Sequence, residues 1–203
     1  MFEKVLSQKA KELLLRFKPG DFPSGSYLGG GTAIALQIGH RKSVDLDFFA
    51  PTEFDEGQWL QKLEEDFGFK LMQRDWQTLV GEAGGVKISL MGYKYPLIND
   101  LVNFYQMPIA SLPDLAAMKL DAILGRGTKR DMIDIYCLAQ KYSLAGLFEF
   151  YDKKYKSLEE REIMIKKALV YFVEADDDEM PDMIAQIDWN TVKEWLTAQV
   201  RNS

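Results

Sequence analysis

The sequence predicts an α/β (α+β) fold, with a small mixed sheet flanked by helices and a helical C-terminal half. Three observations carry this reading. Between Tyr27 and Tyr93 short runs alternate apolar and polar residues with the period of two expected of strands, and Gly and Pro break them. Helical spacing enters at Ala33–Ile38 and Asp55–Phe67, then dominates after Ser111. The chain has 203 residues, 47% of them hydrophobic, enough for a packed core in one domain with a helical extension. The expected organisation is an α/β domain over residues 1–110, with a helical domain over 111–203 packed on it.

In chain order, Glu3–Phe17 has the spacing of an amphipathic helix, with Val5, Leu6, Leu13, Leu14 and Phe17 forming its apolar stripe. A Pro/Gly/Ser loop, Lys18–Ser26, ends it. The stretch Tyr27–Phe49, YLGGGTAIALQIGHRKSVDLDFF, organises the rest. Its glycines lead into a short helix, a polar turn follows at Gly39–Lys42, and a strand is expected from Val44 to Phe49.

On that strand Asp45 and Asp47 share one face, with roots roughly 6.5–7 Å apart, while Leu46 and Phe48 point to the core. Carboxylates that close repel unless a cation sits between them, and a hard divalent ion such as Mg²⁺ (or Mn²⁺) suits oxygen ligands. Gly30 and Gly31 permit a tight backbone turn whose N–H groups favour phosphate, and the Thr32 hydroxyl is expected in the same cradle. A phosphate cradle beside a metal-binding Asp-x-Asp strand is the layout of nucleotidyl transfer from a nucleoside triphosphate. Each half also has a plain structural account, a tight turn and a solvated strand face. The Walker pattern is absent, so a P-loop ATPase is not expected.

Asp55–Phe67 reads as a helix with Trp59, Leu60, Leu63 and Phe67 inward. Strands are expected at Phe69–Arg74, Gln77–Glu82 and Val86–Tyr93, the last two joined by a Gly84-Gly85 hairpin turn. A loop leads to a short edge strand at Met107–Ala110. Ser111 opens a helix running to Leu124, with Pro113 and Asp114 in its first turn and Gly125 as its cap. Thr128 caps the next helix, which carries Arg130, Asp131 and Asp134. Lys119 lies beside the apolar stripe of the first helix. From the residues alone, Lys119, Arg130, Asp131 and Asp134 make a charge cluster tying two helices. Leu144–Tyr155, Leu158–Glu174 and Trp189–Arg201 complete a helical bundle, with Trp189 and Trp195 docking its last member. The acidic run Glu174–Asp178 reads as a solvated loop.

Composition narrows the function classes. A single cysteine, Cys137, allows no intrachain disulfide and fits a reducing cytoplasm. The single histidine, His40, cannot make a zinc site by itself, which leaves a solvated turn residue or a phosphate or base contact. A net charge of −6 argues against broad electrostatic capture of nucleic acid but allows a local basic patch. No apolar run approaches the ~20 residues of a membrane span, and the N-terminus lacks a signal-peptide pattern.

GGGTAIALQIGHRKSVDLDFF resembles the Gly-Gly-[Ser/Thr]…Asp-x-Asp signature of polymerase-β-type nucleotidyltransferases. More narrowly it resembles the AbiEii-type abortive-infection toxins, where GGTALAL…R-x-S-x-DLDFF is typical. KLDAILGR and RDMIDIY extend the match, so that it covers most of Tyr27–Tyr136. The resemblance implies a nucleotidyltransferase-type sheet, an NTP substrate and metal held by Asp45 and Asp47. It places Gly30, Gly31, Thr32, Arg41 and Ser43 at the nucleotide, has Lys119 contact its phosphates, and makes Asp131 a catalytic base or structural acid. Arg126, Arg130 and Asp134 then position the substrate or those two residues. Implied partners are a cognate antitoxin and tRNA or another RNA acceptor. One departure stands out: Ser89 occupies the position where the family often carries a third acid, and Glu82 across the hairpin is the candidate replacement. Two other functions fit the same residues: an NTP-binding module without catalysis, and transfer to a small molecule.

Overall fold

A computed structural model of the chain describes residues 1–156 and 159–202. Among them seven strands build one mixed sheet: β1 (Tyr27–Leu28), β2 (Leu46–Ala50), β3 (Lys70–Asp75), β4 (Thr78–Ala83), β5 (Val86–Gly92), β6 (Val102–Phe104) and β7 (Met107–Ile109). Across the sheet they run β3-β4-β5-β2-β1-β7-β6. β2 sits in the middle, parallel to β5 and antiparallel to β1, with Asp47 opposite Ser89 and Phe48 opposite Leu28. Leu46, Phe48 and Ala50 are buried while Asp47 and Phe49 are half-buried, so the period of two sorts core from site.

The helices are α1 (Gln8–Arg16), α2 (Gly30–Ile38), α3 (Glu56–Phe67), α4 (Leu112–Gly125), α5 (Lys129–Tyr142), α6 (Leu144–Tyr155), α7 (Glu159–Leu169), α8 (Val173–Asp177) and α9 (Trp189–Arg201). Ser7, Asp55, Ser111, Thr128 and Asp188 start five of them, each side chain accepting from the backbone N–H three residues on. α4 is the hub of the C-terminal half: it packs on α2 of the first half and on α5, α6 and α7. Its fully buried face carries Ala116, Ala117 and Leu120, small enough at two positions to let neighbours approach closely.

Several boundaries differ from the sequence expectation. The first helix is split: a 3-10 turn covers Glu3–Val5, Leu6 bridges to Ser43, and Ser7 then caps α1. Asp45 precedes β2 instead of lying in it, because its carbonyl accepts the Thr32 hydroxyl. The strand at Met107 is not an edge. β7 pairs with β1 on one side and β6 on the other, with Pro108 opposite Asn103, so the edge position that Pro suggests falls to β6. Gly125 stays helical, and the extended residue that ends α4 is Arg126. The helix expected over 158–174 stops at Leu169, Leu158 lies outside the described residues, and most of the acidic run forms α8 with Ala175 buried beneath it.

Candidate active site

The site is built around the first turn of α2. Gly29 is its N-cap residue, and no side chain caps the helix, so its first N–H groups remain for a ligand. Gly30 has φ +63°, and a Cβ there would collide with Oδ2 of Asp47. The β2 carboxylate therefore stands directly against the glycine turn. A Cβ on Gly31 would strike the Arg41 guanidinium in the same way.

Asp45 and Asp47 are half-buried, and neither has a cationic partner among the described residues. Ser89 donates a hydrogen bond of 2.5 Å to Asp47 Oδ1, which leaves Oδ2 on the side of the glycine turn. Thr32 does not join a phosphate cradle through its hydroxyl. It is 1% exposed, donates to the Asp45 carbonyl and lies 2.8 Å from the Ser43 hydroxyl, because a buried hydroxyl needs a partner and these are the nearest. Thr32 and Ser43 thus fix the backbone that presents Asp45. Glu82 is exposed opposite Lys87 on the β4–β5 hairpin, not in the Asp47–Ser89 row. No cluster of three His, Cys, Asp or Glu able to hold a metal occurs among the described residues.

A second pair of acids lies behind the turn, and the protein neutralises these itself. Asp134 is fully buried and accepts from Arg41 Nε at 2.7 Å, Arg41 Nη2 at 2.8 Å and Lys119 Nζ at 2.9 Å, with His40 Nε2 at 2.7 Å. Lys119 also donates to Asp131 at 2.8 Å, and Asp131 is held from the other side by Thr128 at 2.7 Å. Burial alone pushes both carboxyls up, but the attraction of Lys119, joined by Arg41 at Asp134, outweighs it, and both titrate below the ordinary aspartate value. For Lys119 and Arg41 desolvation acts downward and the two aspartates overcome it, so both stay charged.

Arg126 and Arg130 are the exposed members of the predicted set. Arg126 reaches Asp131 at 3.5 Å and otherwise projects over a cavity of about 350 Å³ between the α4–α5 joint and α7. That cavity does not touch Gly30, Asp45 or Asp47. The structure therefore gathers Gly30, Gly31, Thr32, Arg41, Ser43, Asp47 and, through Asp134, Lys119 and Asp131; Arg126 stands at their margin, and Arg130 makes no ion pair among the described residues.

The family model for the nucleotidyl transferase AbiEii toxin of type IV toxin–antitoxin systems matches residues 12–89 and 93–199. The chain belongs to the AbiEii family. It is a nucleotidyltransferase by that membership. An uncharacterised protein of Aquifex aeolicus is 34% identical over 185 residues, 86% of each chain. Among solved structures, MenT4, a nucleotidyltransferase toxin of Mycobacterium tuberculosis, superposes with a TM-score of 0.60 at 17% identity, covering 96% of this chain and 83% of that one. JHP933 of Helicobacter pylori gives 0.57 at 20% identity over 97% and 92%. At such identities the superpositions show the shared fold.

In this AbiEii chain, His40 is the residue that sequence reasoning placed least well. It is 3% exposed and bonded to Asp134, not solvated on a turn. Its carbonyl accepts from Ile184 and Ala185, so the segment before α9 closes over it. No local signal announces a contact made across 94 positions.

Proposed function

We propose that this AbiEii nucleotidyltransferase moves a nucleotidyl group from an NTP to a hydroxyl of an RNA acceptor, tRNA included, using Mg²⁺ or Mn²⁺ at Asp45 and Asp47. It acts as the toxin of a pair with a cognate antitoxin, in the cytoplasm. One contrast supports the reading. Of two acid pairs beside one glycine turn, Asp131 and Asp134 are neutralised by Lys119 and Arg41, while Asp45 and Asp47 have no cation among the described residues. Half-exposed carboxylates with a free helix N-terminus beside them fit a metal–triphosphate better than they fit a structural ion pair.

The donor set is hard oxygen, which fits Mg²⁺: Asp45, Asp47 and, bonded to the latter, the Ser89 hydroxyl. When bound, the ion neutralises charge on the transferring phosphate and activates the attacking hydroxyl. The chain does the rest. The N–H groups of the α2 start bind phosphate oxygens. Lys119, buried and bonded to Asp131 and Asp134, keeps one proton that neither acid takes. Asp131, already held below the ordinary range by that lysine, is a poor proton acceptor and serves as a positioning acid.

Incubation with Mg²⁺, each labelled NTP and total RNA tests the proposal. Label on RNA that disappears in Asp45→Ala supports it. Saturable NTP binding without transfer, or label on a small molecule only, overturns the RNA-directed reading. No helix among the described residues is long and apolar enough to cross a membrane.

A further inference from the structure

We propose that the cavity at the α4–α5 joint is a second ligand site, separate from the glycine turn, that takes one nucleoside monophosphate unit. Its walls are Ile123, Leu124, Gly125 and Gly127 on one side, Ala168 and Tyr171 on the other, with Arg126, Lys167 and Glu174 at the mouth. At about 350 Å³ it is at the lower end of the size of small-molecule pockets and large enough for a single nucleotide.

Its chemistry is unusual for this protein. The chain carries a net charge of −6, and most of its buried cations are paired, yet here two cations face one opening. Lys167 is exposed and makes no ion pair among the described residues. Arg126 has only the 3.5 Å approach to Asp131, and its side chain is 70% exposed. Two cations lining one cavity, one without an ion pair among the described residues and one only loosely paired, beside backbone opened by two glycines, suit a phosphate. Tyr171 is 57% exposed on the far wall, an aromatic face that the fold leaves uncovered. Every nucleobase can stack on such a face. Glu174, the acid at the rim, explains the remaining feature of the ligand: ribose hydroxyls are donors, and a carboxylate accepts from them.

The location gives the site a use. Arg126 belongs both to the cavity and to the Asp131–Lys119 network, so a phosphate bound by Arg126 lies one ion pair away from the residues behind the glycine turn. Binding itself requires neither the metal nor Asp45, so the inference stands or falls separately from the transfer proposal.

Chemical-shift titration of the full chain with AMP tests it, with inorganic phosphate as the partial ligand. AMP is expected to saturate and to move the amides of Gly125, Gly127 and Tyr171. Tyr171→Ala and Lys167→Ala each weaken AMP about fivefold or more, the scale of one stacking or charge-assisted contact. Tyr171→Phe stays within about twofold, since the ring face is kept. Asp45→Asn binds AMP as the wild type does. A 5′-phosphorylated pentanucleotide that binds more than about tenfold tighter than AMP, and loses that gain in Lys167→Ala, identifies the source as a strand; equal affinity identifies a free nucleotide. Shifts confined to Gly30–Thr32, or AMP affinity unchanged in both Tyr171→Ala and Lys167→Ala, overturn the inference. Both positions are exposed, and unchanged thermal melting of the variants excludes a folding defect.

Discussion

Arg41 grips Asp134 with both arms of its guanidinium, Nε at 2.7 Å and Nη2 at 2.8 Å, where the carboxylate is fully buried. The sites are 93 positions apart in the chain, so this contact holds α5 against the turn that follows α2. Removing one member of a buried pair leaves an uncompensated charge, here that of Arg41, while Lys119 loses one of its two acids and keeps Asp131. Asp134→Ala is therefore expected to lose roughly 3–5 kcal/mol in urea denaturation. Arg41→Lys recovers little, since an ammonium cannot span both oxygens. Lys42→Ala, which breaks an exposed pair with Asp182, is expected to change stability by less than about 1 kcal/mol.

The same network sets the acid limit. Desolvation pushes Asp131 and Asp134 up, Lys119 and its neighbours pull them further down, and both end below the ordinary value of 3.8. As pH falls, the unfolded chain takes up protons before the folded one. The stability from these groups is thus complete above about pH 4 and is lost as pH drops through the folded values. Denaturation midpoints between pH 7 and pH 2 are expected to show a steep acid limb in the wild type. In Asp134→Asn that limb is shallower. An identical limb in both would mean other carboxylates carry it.

How far the sequence reached follows from the range of each interaction. The glycine turn, the strand through Asp47, the Gly84-Gly85 hairpin and the caps at Ser111 and Thr128 depend on neighbours within a few residues, and all were legible. The strand expected from Val44 starts only at Leu46, which leaves Asp45 outside it, because the hydroxyl that holds the Asp45 carbonyl comes from Thr32, on another element. Long-range pairing misled more. Met107–Ala110 reads as a short edge strand from its local sequence, but its parallel partner Leu28 is far away in sequence. Buried polar contacts were least legible: neither His40 with Asp134 nor Lys154 with Asp114 leaves any periodic trace.

Gly30 is expected to be the least replaceable residue of the turn. Its φ of +63° is strained for any residue with a Cβ, and that Cβ would displace the Asp47 carboxylate. Gly30→Ala should cost about 1 kcal/mol or more in strain and lower nucleotidyl transfer at least ~100-fold, because a small misplacement of a reacting group is enough for that. Exposed Gly84 on the distant β4–β5 hairpin, also at positive φ but with open space around it, supplies the control: Gly84→Asn changes stability little and activity not at all. Equal activity loss in both variants would show that the effect is general strain.

Removal of the Asp45 charge is expected to stabilise the metal-free protein. Asp45 and Asp47 repel each other with no cation beside them among the described residues, so Asp45→Asn should raise its melting temperature slightly while abolishing transfer. Mg²⁺ then reverses the order. At a concentration one hundred times its Kd, the ion stabilises the wild type by ~2.7 kcal/mol and leaves Asp45→Asn where it was. Thermal melts with and without Mg²⁺ decide this, and an equal Mg²⁺ shift in both proteins would move the metal elsewhere.

Ser89 offers the sharpest test of where that ion sits. It is 6% exposed on β5, directly across from Asp47, and its hydroxyl donates to Oδ1 at 2.5 Å. Ser89→Asp deletes that donor and adds a third carboxylate in nearly the same place. Without metal, three acids with no cation between them repel one another, so the variant is expected to melt lower than wild type. With metal, the added ligand should tighten binding, because hard divalent ions gain affinity with each carboxylate oxygen supplied. The Mg²⁺-induced rise in melting temperature is then larger in Ser89→Asp than in wild type. Ser89→Ala separates the two effects: it loses the hydrogen bond, gains no ligand, and shows a Mg²⁺ shift no larger than wild type. If Ser89→Asp is destabilised but its Mg²⁺ response does not grow, the ion lies on the Asp45 side of Asp47, away from β5.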